Sequence, residues 1–353
     1  MLLRKKNFNL FIIGFLSWIL IILFINCSHS KKDSIVENFI KTYVLNLLSS
    51  SSSDYYSRMY YFSPNLFFSS TNSNLVVEAT SQNVTAGKMK LILIHGWDPS
   101  DRESMASVSD SELKKRILNN NWIEFVTTDA FFQITNTKNY DVYAYDYNSA
   151  LPIDENGKKL RSKMDSLFSN ESGTVVILGY SMGGLVTRFA IYEGSRPAYI
   201  ARVIASGVPF HGSPWASPSY QKSTSALGDL ASFLTNTAGG KDLAWDNFDN
   251  SLSGASNAKL TAINNKKDRD DLFYAYYSSA SSTLASDSGK QLLASCLIFD
   301  NDKISPSDCI VPATSAYLKG NTFSKTTDVG KYDHFDMKLR VSSVRINLLS
   351  DLP

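Results

Sequence analysis

The chain has 353 residues, 43% of them hydrophobic and 19% charged, and its 35 Lys and Arg against 33 Asp and Glu leave a formal net charge of +2. That length exceeds the ~150 residues of one average domain and allows a sizeable core, as one large domain or two small ones. So even a balance gives no electrostatic footprint for nucleic acid and excludes it as an expected partner.

The first segment carries an export signal. Arg4, Lys5 and Lys6 precede an almost unbroken apolar run from Phe8 to Ile25, the pattern of a secretory signal. Cys27 follows at once, ahead of the polar "SHSKKDS". A cysteine in that place resembles the lipobox of bacterial lipoproteins, in which it is acylated after cleavage, although Asn26 and Phe24 depart from the usual residues. Residues 1–27 are therefore read as a signal peptide with Cys27 as the lipidation site. The run is also about the ~18 residues at which a spanning anchor becomes plausible, and plain secretion stays open. All three place the remainder outside the cytoplasm, in the cell envelope or beyond. With Cys27 set aside, Cys296 and Cys309 remain, and an oxidising compartment favours their pairing.

Residues 28–87 are read as a Ser-rich tether and N-terminal extension. Ile35 to Leu48 has helical spacing, a serine tract at Ser49 to Ser53 follows, and the aromatic run Tyr55 to Phe68 receives no role. From residue 88 the pattern turns regular. "KMKLILIHGW", "DVYAYDYNS", "TVVILGY" and "YIARVIASGVP" are apolar strands, with helical patterns after the second and third. "DLFYAYYSSA" adds a fifth strand, and Asn321 to Val329 holds a sixth. Buried strands alternating with helices imply a mainly parallel central sheet covered on both faces, with working groups at the carboxyl ends of its strands. Residues 213–267 break the rhythm with Ser, Ala, Gly and Asn. An insertion of that size reads as a lid or cap over a site.

The stretch "VVILGYSMGGLVTRFA", Val175 to Ala190, runs from a β-branched strand through Gly179 into an amphipathic helix, with Ser181 at the bend. A neutral hydroxyl is a poor nucleophile unless a base takes its proton and donors hold the oxyanion that forms. A tight strand-to-helix turn exposes the hydroxyl, and flanking glycines let the chain close around it. The N-terminus of the following helix offers the Met182 N–H as an oxyanion donor.

"GYSMGG", "LIHGW" and "GVPFHGSP" together resemble the α/β-hydrolase superfamily, and within it the bacterial triacylglycerol lipase-like branch. The similarity covers about Lys88 to Leu339, apart from the insertion. It implies an α/β-hydrolase catalytic domain over 88–353 with Ser181 as nucleophile and the N–H of Trp97 as second oxyanion donor. The base is sought among four histidines. His29 lies in the tether, and His95 and His211 precede the place that the family's serine–acid–histidine order requires. His334, in "GKYDHFDMK", is the remaining candidate. "DNDKISPSDCIVPATSA" resembles the lipase acid loop and points to Asp308, with Cys309 where glycine is usual and Asp300 and Asp302 as rivals.

The resemblance implies hydrolysis of carboxylic esters, lipid esters foremost, through an acyl-enzyme and without a cofactor. An acyltransferase on the same triad and a non-catalytic lipid-anchored binding protein are the alternatives. No residue cluster has zinc spacing and no metal site is assigned. Calcium supports some members of this branch, but no ligand set for it is identifiable in this sequence.

Overall fold

The computed structural model describes residues 57–101, 109–244, 257–280, 292–304 and 306–353. The apolar run Phe8 to Ile25, the acylation candidate Cys27, His29 and the helical pattern at 35–48 lie outside them. Among the described residues, no helix is long and apolar enough to cross a membrane.

The strand "KLILI" shows how the sheet is built. All five residues of β3 (Lys90–Ile94) are buried, because side chains alternate across the sheet and both faces are covered. Leu91 and Leu93 enter one core and Ile92 and Ile94 the other. The same division runs through Asp141–Asp146 and Val175–Tyr180, where Val142, Val176 and Leu178 face one core and Tyr143, Tyr145 and Ile177 the opposite one. On the second of these faces pack the helices α1 (Ile153–Phe168) and α2 (Met182–Tyr192), through Leu160, Met164, Leu185 and Val186. The first face is covered by Leu113, Ile117, Trp122 and Phe125 and by Val344 and Leu348. Each such side chain contributes about 1.5–3 kcal/mol when fully withdrawn from water.

Among the described residues the sheet has eight strands: β1 (Arg58–Phe62), β2 (Val76–Glu78), β3, β4 (Asp141–Asp146), β5 (Val175–Tyr180), β6 (Ile200–Ser206), β7 (Phe273–Tyr277) and β8 (Lys325–Asp328). Their spatial order is β2-β1-β4-β3-β5-β6-β7-β8. β1 runs antiparallel to β2 and β4, and every other neighbouring pair is parallel. The mainly parallel sheet with helices on both faces is the architecture expected from the sequence. One boundary moves. β1 and β2 lie within 28–87, the stretch read as tether and extension, yet β1 pairs with β4 from Arg58 against Asp146 to Phe62 against Val142. Tyr60 and Phe62 are fully buried. The sheet therefore begins by Arg58, not at 88, because these aromatic residues pack into its core between β2 and β4.

The insertion expected over 213–267 forms short helices in its described parts, at Pro218–Ser223, Ser225–Leu234, Ala238–Lys241 and Ala258–Asn264. It is anchored beside β4 and β5. The Gly239 N–H donates to Ala150 O at 2.8 Å, and a Cβ at Gly239 would stand 3.1 Å from Met182 Cε.

Behind the site, a buried ion pair ties α2 to the approach to β7. Arg188 Nη1 lies 2.7 Å from Asp270 Oδ1, both side chains fully buried, and Nη2 donates to Lys266 O at 2.9 Å. The guanidinium also lies 4.9–5.8 Å from the rings of Tyr192, Phe273, Phe323 and Phe210. Arg188→Met leaves the Asp270 carboxylate buried without its cation, so urea unfolding should show a loss of about 3–5 kcal/mol. Adding Asp270→Leu should recover most of that loss, since an apolar pair of similar volume replaces the ions. A single variant within 1 kcal/mol of the parent would contradict this account.

Candidate active site

At the carboxyl end of β5 the chain turns into α2 through Ser181, whose backbone sits at φ 52°, ψ −129°. That conformation is uncommon for a residue with a Cβ and costs of order 1–3 kcal/mol. It is held from both sides: the Ser181 N–H donates to Ser206 O at 2.9 Å, and the Gly184 N–H to Ser181 O at 3.0 Å. The glycine two residues on is needed for space. A Cβ at Gly183 would stand 2.3 Å from His95 O, so only glycine lets α2 start this close to the end of β3.

Residues far apart in sequence then converge. Ser181 Oγ lies 2.9 Å from His334 Nε2, and His334 Nδ1 lies 2.7 Å from Asp308 Oδ2. A carboxylate can only accept, so Nδ1 carries the proton and Nε2 is left to accept from the serine hydroxyl. The other oxygen, Asp308 Oδ1, accepts the N–H groups of Val311 at 2.7 Å and Ile310 at 3.1 Å. Its backbone carbonyl accepts the His334 N–H at 2.9 Å, so the acid loop holds both the ring and the backbone of the histidine.

Three features steady that pair. Tyr180 donates its hydroxyl to His334 O at 3.0 Å, and its ring lies 5.1 Å from the imidazole. Burial, reinforced by the Asp308 charge, pushes the tyrosine pKa well above its ordinary value and keeps it a donor. Gly207, at φ 57°, passes beneath: a Cβ there would stand 3.1 Å from Asp308 Oδ2 and 3.4 Å from His334 Nδ1. A disulfide joins Cys309, the residue after the acid, to Cys296 on the helix α3 (Leu293–Asn301).

Of the rival acids, Asp302 accepts the Tyr220 hydroxyl at 2.7 Å, and Asp300 belongs to α3, whereas the imidazole is met by Asp308. His95 is fully buried and stacked on Tyr147 with 4.3 Å between centroids, and the His211 N–H donates to Ser315 Oγ. Neither histidine is a partner of Ser181. On the side of the expected oxyanion donors, a Cβ at Gly96 would stand 2.8 Å from Ser181 Cβ, which sets the turn bearing Trp97 directly against the serine. The N–H groups of Trp97 and Met182 form no hydrogen bond among the described residues. No group of three or more His, Cys, Asp or Glu side chains among the described residues is arranged to hold a metal ion.

A cluster that sequence reasoning did not find lies under this turn, where Arg116 meets Asp98 and Asp101 and both aspartates bond to Ser149. Sequence separations of up to 51 residues hide it, and only the "DYNS" end of β4 hinted at a polar patch.

No protein-family model and no curated protein matches the chain. Among solved structures, the lipase BlEst2 of Bacillus licheniformis in its propeptide form is 19% identical, with a TM-score of 0.51. The match covers 75% of this chain and 51% of that one. The mature form of the same lipase is 17% identical over 73% of this chain and 91% of its own, with a TM-score of 0.49. The carboxylesterase CesB of Bacillus subtilis is 12% identical over 90% and 98%, with a TM-score of 0.36. The likeness to the propeptide form is one of fold, and with the eight-stranded sheet it gives this chain the α/β-hydrolase fold.

Proposed function

We propose that this chain is an exported serine hydrolase of carboxylic esters, lipid esters foremost, held at the cell envelope through a lipid on Cys27. The observation that carries the reading is the unbroken chain from Ser181 Oγ through His334 to Asp308 at a strained strand-to-helix turn. Such an arrangement activates a hydroxyl for acyl transfer, and few structural roles call for one.

The geometry supports the following reaction. Ser181 Oγ attacks the ester carbonyl and gives its proton to His334 Nε2, while Asp308 stabilises the imidazolium that forms. The tetrahedral oxyanion accepts from the N–H groups of Trp97 and Met182, the second at the positive end of α2. His334 then hands the proton to the leaving alcohol, and the carbon–oxygen bond to that alcohol breaks to leave an acyl-Ser181. Water, deprotonated by the same imidazole, attacks the acyl carbon and frees the acid. The lipid preference rests on the cap at residues 213–267 and on the neighbour of matching fold being a lipase. The Cys296–Cys309 bridge supports an oxidising location, and the "NCS" junction after the apolar run supports the anchor.

The test is covalent labelling by a fluorophosphonate, run beside p-nitrophenyl esters from acetyl to palmitoyl and a triglyceride emulsion. The expected label sits on the peptide containing Ser181, with turnover rising toward longer acyl chains and free acid as product. A preference for acetyl esters would keep the hydrolase and remove the lipid substrate. New ester formed from added alcohol in place of acid would make it an acyltransferase, and no label with no turnover would end the proposal. In the producing cells, Cys27→Ser should move the protein out of the membrane fraction, and retention there would dismiss the lipid anchor.

A further inference from the structure

We infer that Arg116 is a positioning residue for the oxyanion donor on Trp97, acting through a buried clamp on the turn that follows β3; the inference rests on the hydrolase reading above. The turn from His95 to Asp101 needs such a clamp, since it leaves the sheet and presents a single backbone N–H where charge must develop. A donor of that kind contributes only if it is held in place before the reaction.

The clamp has two jaws that meet on Asp101. From the loop after β4, Ser149 donates its N–H and its hydroxyl to Asp101 Oδ2, at 2.7 and 2.6 Å. Its Oγ in turn accepts the N–H of Asp98 at 2.8 Å. From the opposite side, Arg116 Nη2 stands 2.6 Å from Asp101 Oδ1 and 3.4 Å from Asp98 Oδ2. Asp98 is the residue after Trp97, so the backbone on the far side of the donor is fixed by Ser149 and Arg116 together. On the near side, Tyr147 donates its hydroxyl to His95 O at 2.9 Å.

The charges explain why an arginine is required. Asp98 and Asp101 both face one guanidinium, with Asp146 3.9 Å from its Nε. The Asp101 and Asp146 side chains are fully buried. Burial pushes the Asp101 carboxyl up and the Asp98 charge adds to that, while Arg116 counters both. Without Arg116, two carboxylates of one turn repel each other in a low-dielectric setting, and the turn opens at Trp97. The arginine itself does not drift, because Ile117, Leu118 and Trp122 of the stretch Arg116–Trp122 are sunk in the core.

The experiment compares the parent with Arg116→Met and Arg116→Lys on one p-nitrophenyl ester. It measures kcat, KM, the inhibition constant of an alkyl boronic acid and the thermal midpoint, with assays run well below every midpoint. A boronate adduct on Ser181 places oxygen where the oxyanion forms, so it reports the donor separately from ground-state binding. The expected result for Arg116→Met is a fall in kcat of about 10–100-fold and an equal loss of boronate affinity, with KM within about threefold. Arg116→Lys should recover part of both, because it keeps the positive charge on a side chain of similar reach. A variant with a lowered thermal midpoint but kcat and boronate affinity within twofold of the parent overturns the inference. So does one in which KM alone rises. Should Arg116→Met not fold, Ser149→Ala removes the hydroxyl that bridges Asp98 and Asp101 while keeping the backbone N–H on Asp101, and it must show the same joint fall in lesser degree; an unchanged kcat there is equally decisive. A parent chain that hydrolyses no ester defeats the hydrolase reading instead, whereas an active parent with an indifferent Arg116 defeats only this step.

Discussion

Replacing Ser181 by alanine is expected to lower kcat on any ester by about 10⁴–10⁶-fold while leaving KM within a few fold. In the proposed reaction the Ser181 hydroxyl oxygen forms the covalent bond, and it is the side-chain partner of His334 Nε2 among the described residues. The change removes one oxygen and leaves the rest of the proposed site in place, so binding should persist without chemistry. A second substitution separates catalysis from architecture. Ser181→Gly should be equally inactive, yet more stable than Ser181→Ala by about 1 kcal/mol in urea unfolding. Both variants lose Oγ, but alanine keeps a Cβ at φ 52°, ψ −129°, and glycine does not. Glycine's extra freedom in the unfolded chain offsets part of the relief, which is why the expected gain is smaller than the strain. An alanine variant as stable as the glycine one would mean that the strain at the turn is no larger than the cost of ordering a glycine. Alanine retaining a tenth of the parent's kcat would mean that the hydroxyl is not the nucleophile.

What the sequence disclosed follows from the range of each interaction. The turn at Ser181 is local: strand, glycines and helix lie within sixteen residues, and each position is dictated by its neighbours in the chain. β3, β4 and β5 were equally plain, because strands buried on both faces read as continuous apolar runs. β1 was not. "RMYYF" follows a serine tract and lacks a clean alternation, and its place is set by β4, reached only after a gap of about eighty residues. The roles of Tyr180 and Gly207 also stayed hidden, since both exist only because the His334 loop returns over them, 154 residues beyond the tyrosine. The Arg116 clamp is hidden in another way. Its aspartates look like ordinary loop acids until folding brings the guanidinium between them.

The choice among acids carries the sharpest remaining consequence. Asp308→Asn is expected to cost about 10⁴-fold in kcat at neutral pH with KM nearly unchanged. The orientation of the new amide is fixed by the loop. The Val311 and Ile310 N–H groups, now 2.7 and 3.1 Å from Asp308 Oδ1, require an oxygen there, so the amide nitrogen must take the place of Oδ2 and face His334 Nδ1. A donor at that position forces Nδ1 to accept, which moves the ring proton to Nε2 and leaves Ser181 without a base. Asp308→Ala removes the wrong instruction along with the right one, and should therefore be more active than the asparagine variant although it deletes more atoms. Asp300→Asn and Asp302→Asn should stay within twofold of the parent, since Asp302 is spent on Tyr220. Measuring kcat for the four variants side by side decides the matter, because an Asp308→Asn enzyme keeping a tenth of parental activity would show that the imidazole takes its tautomer from something other than this carboxylate.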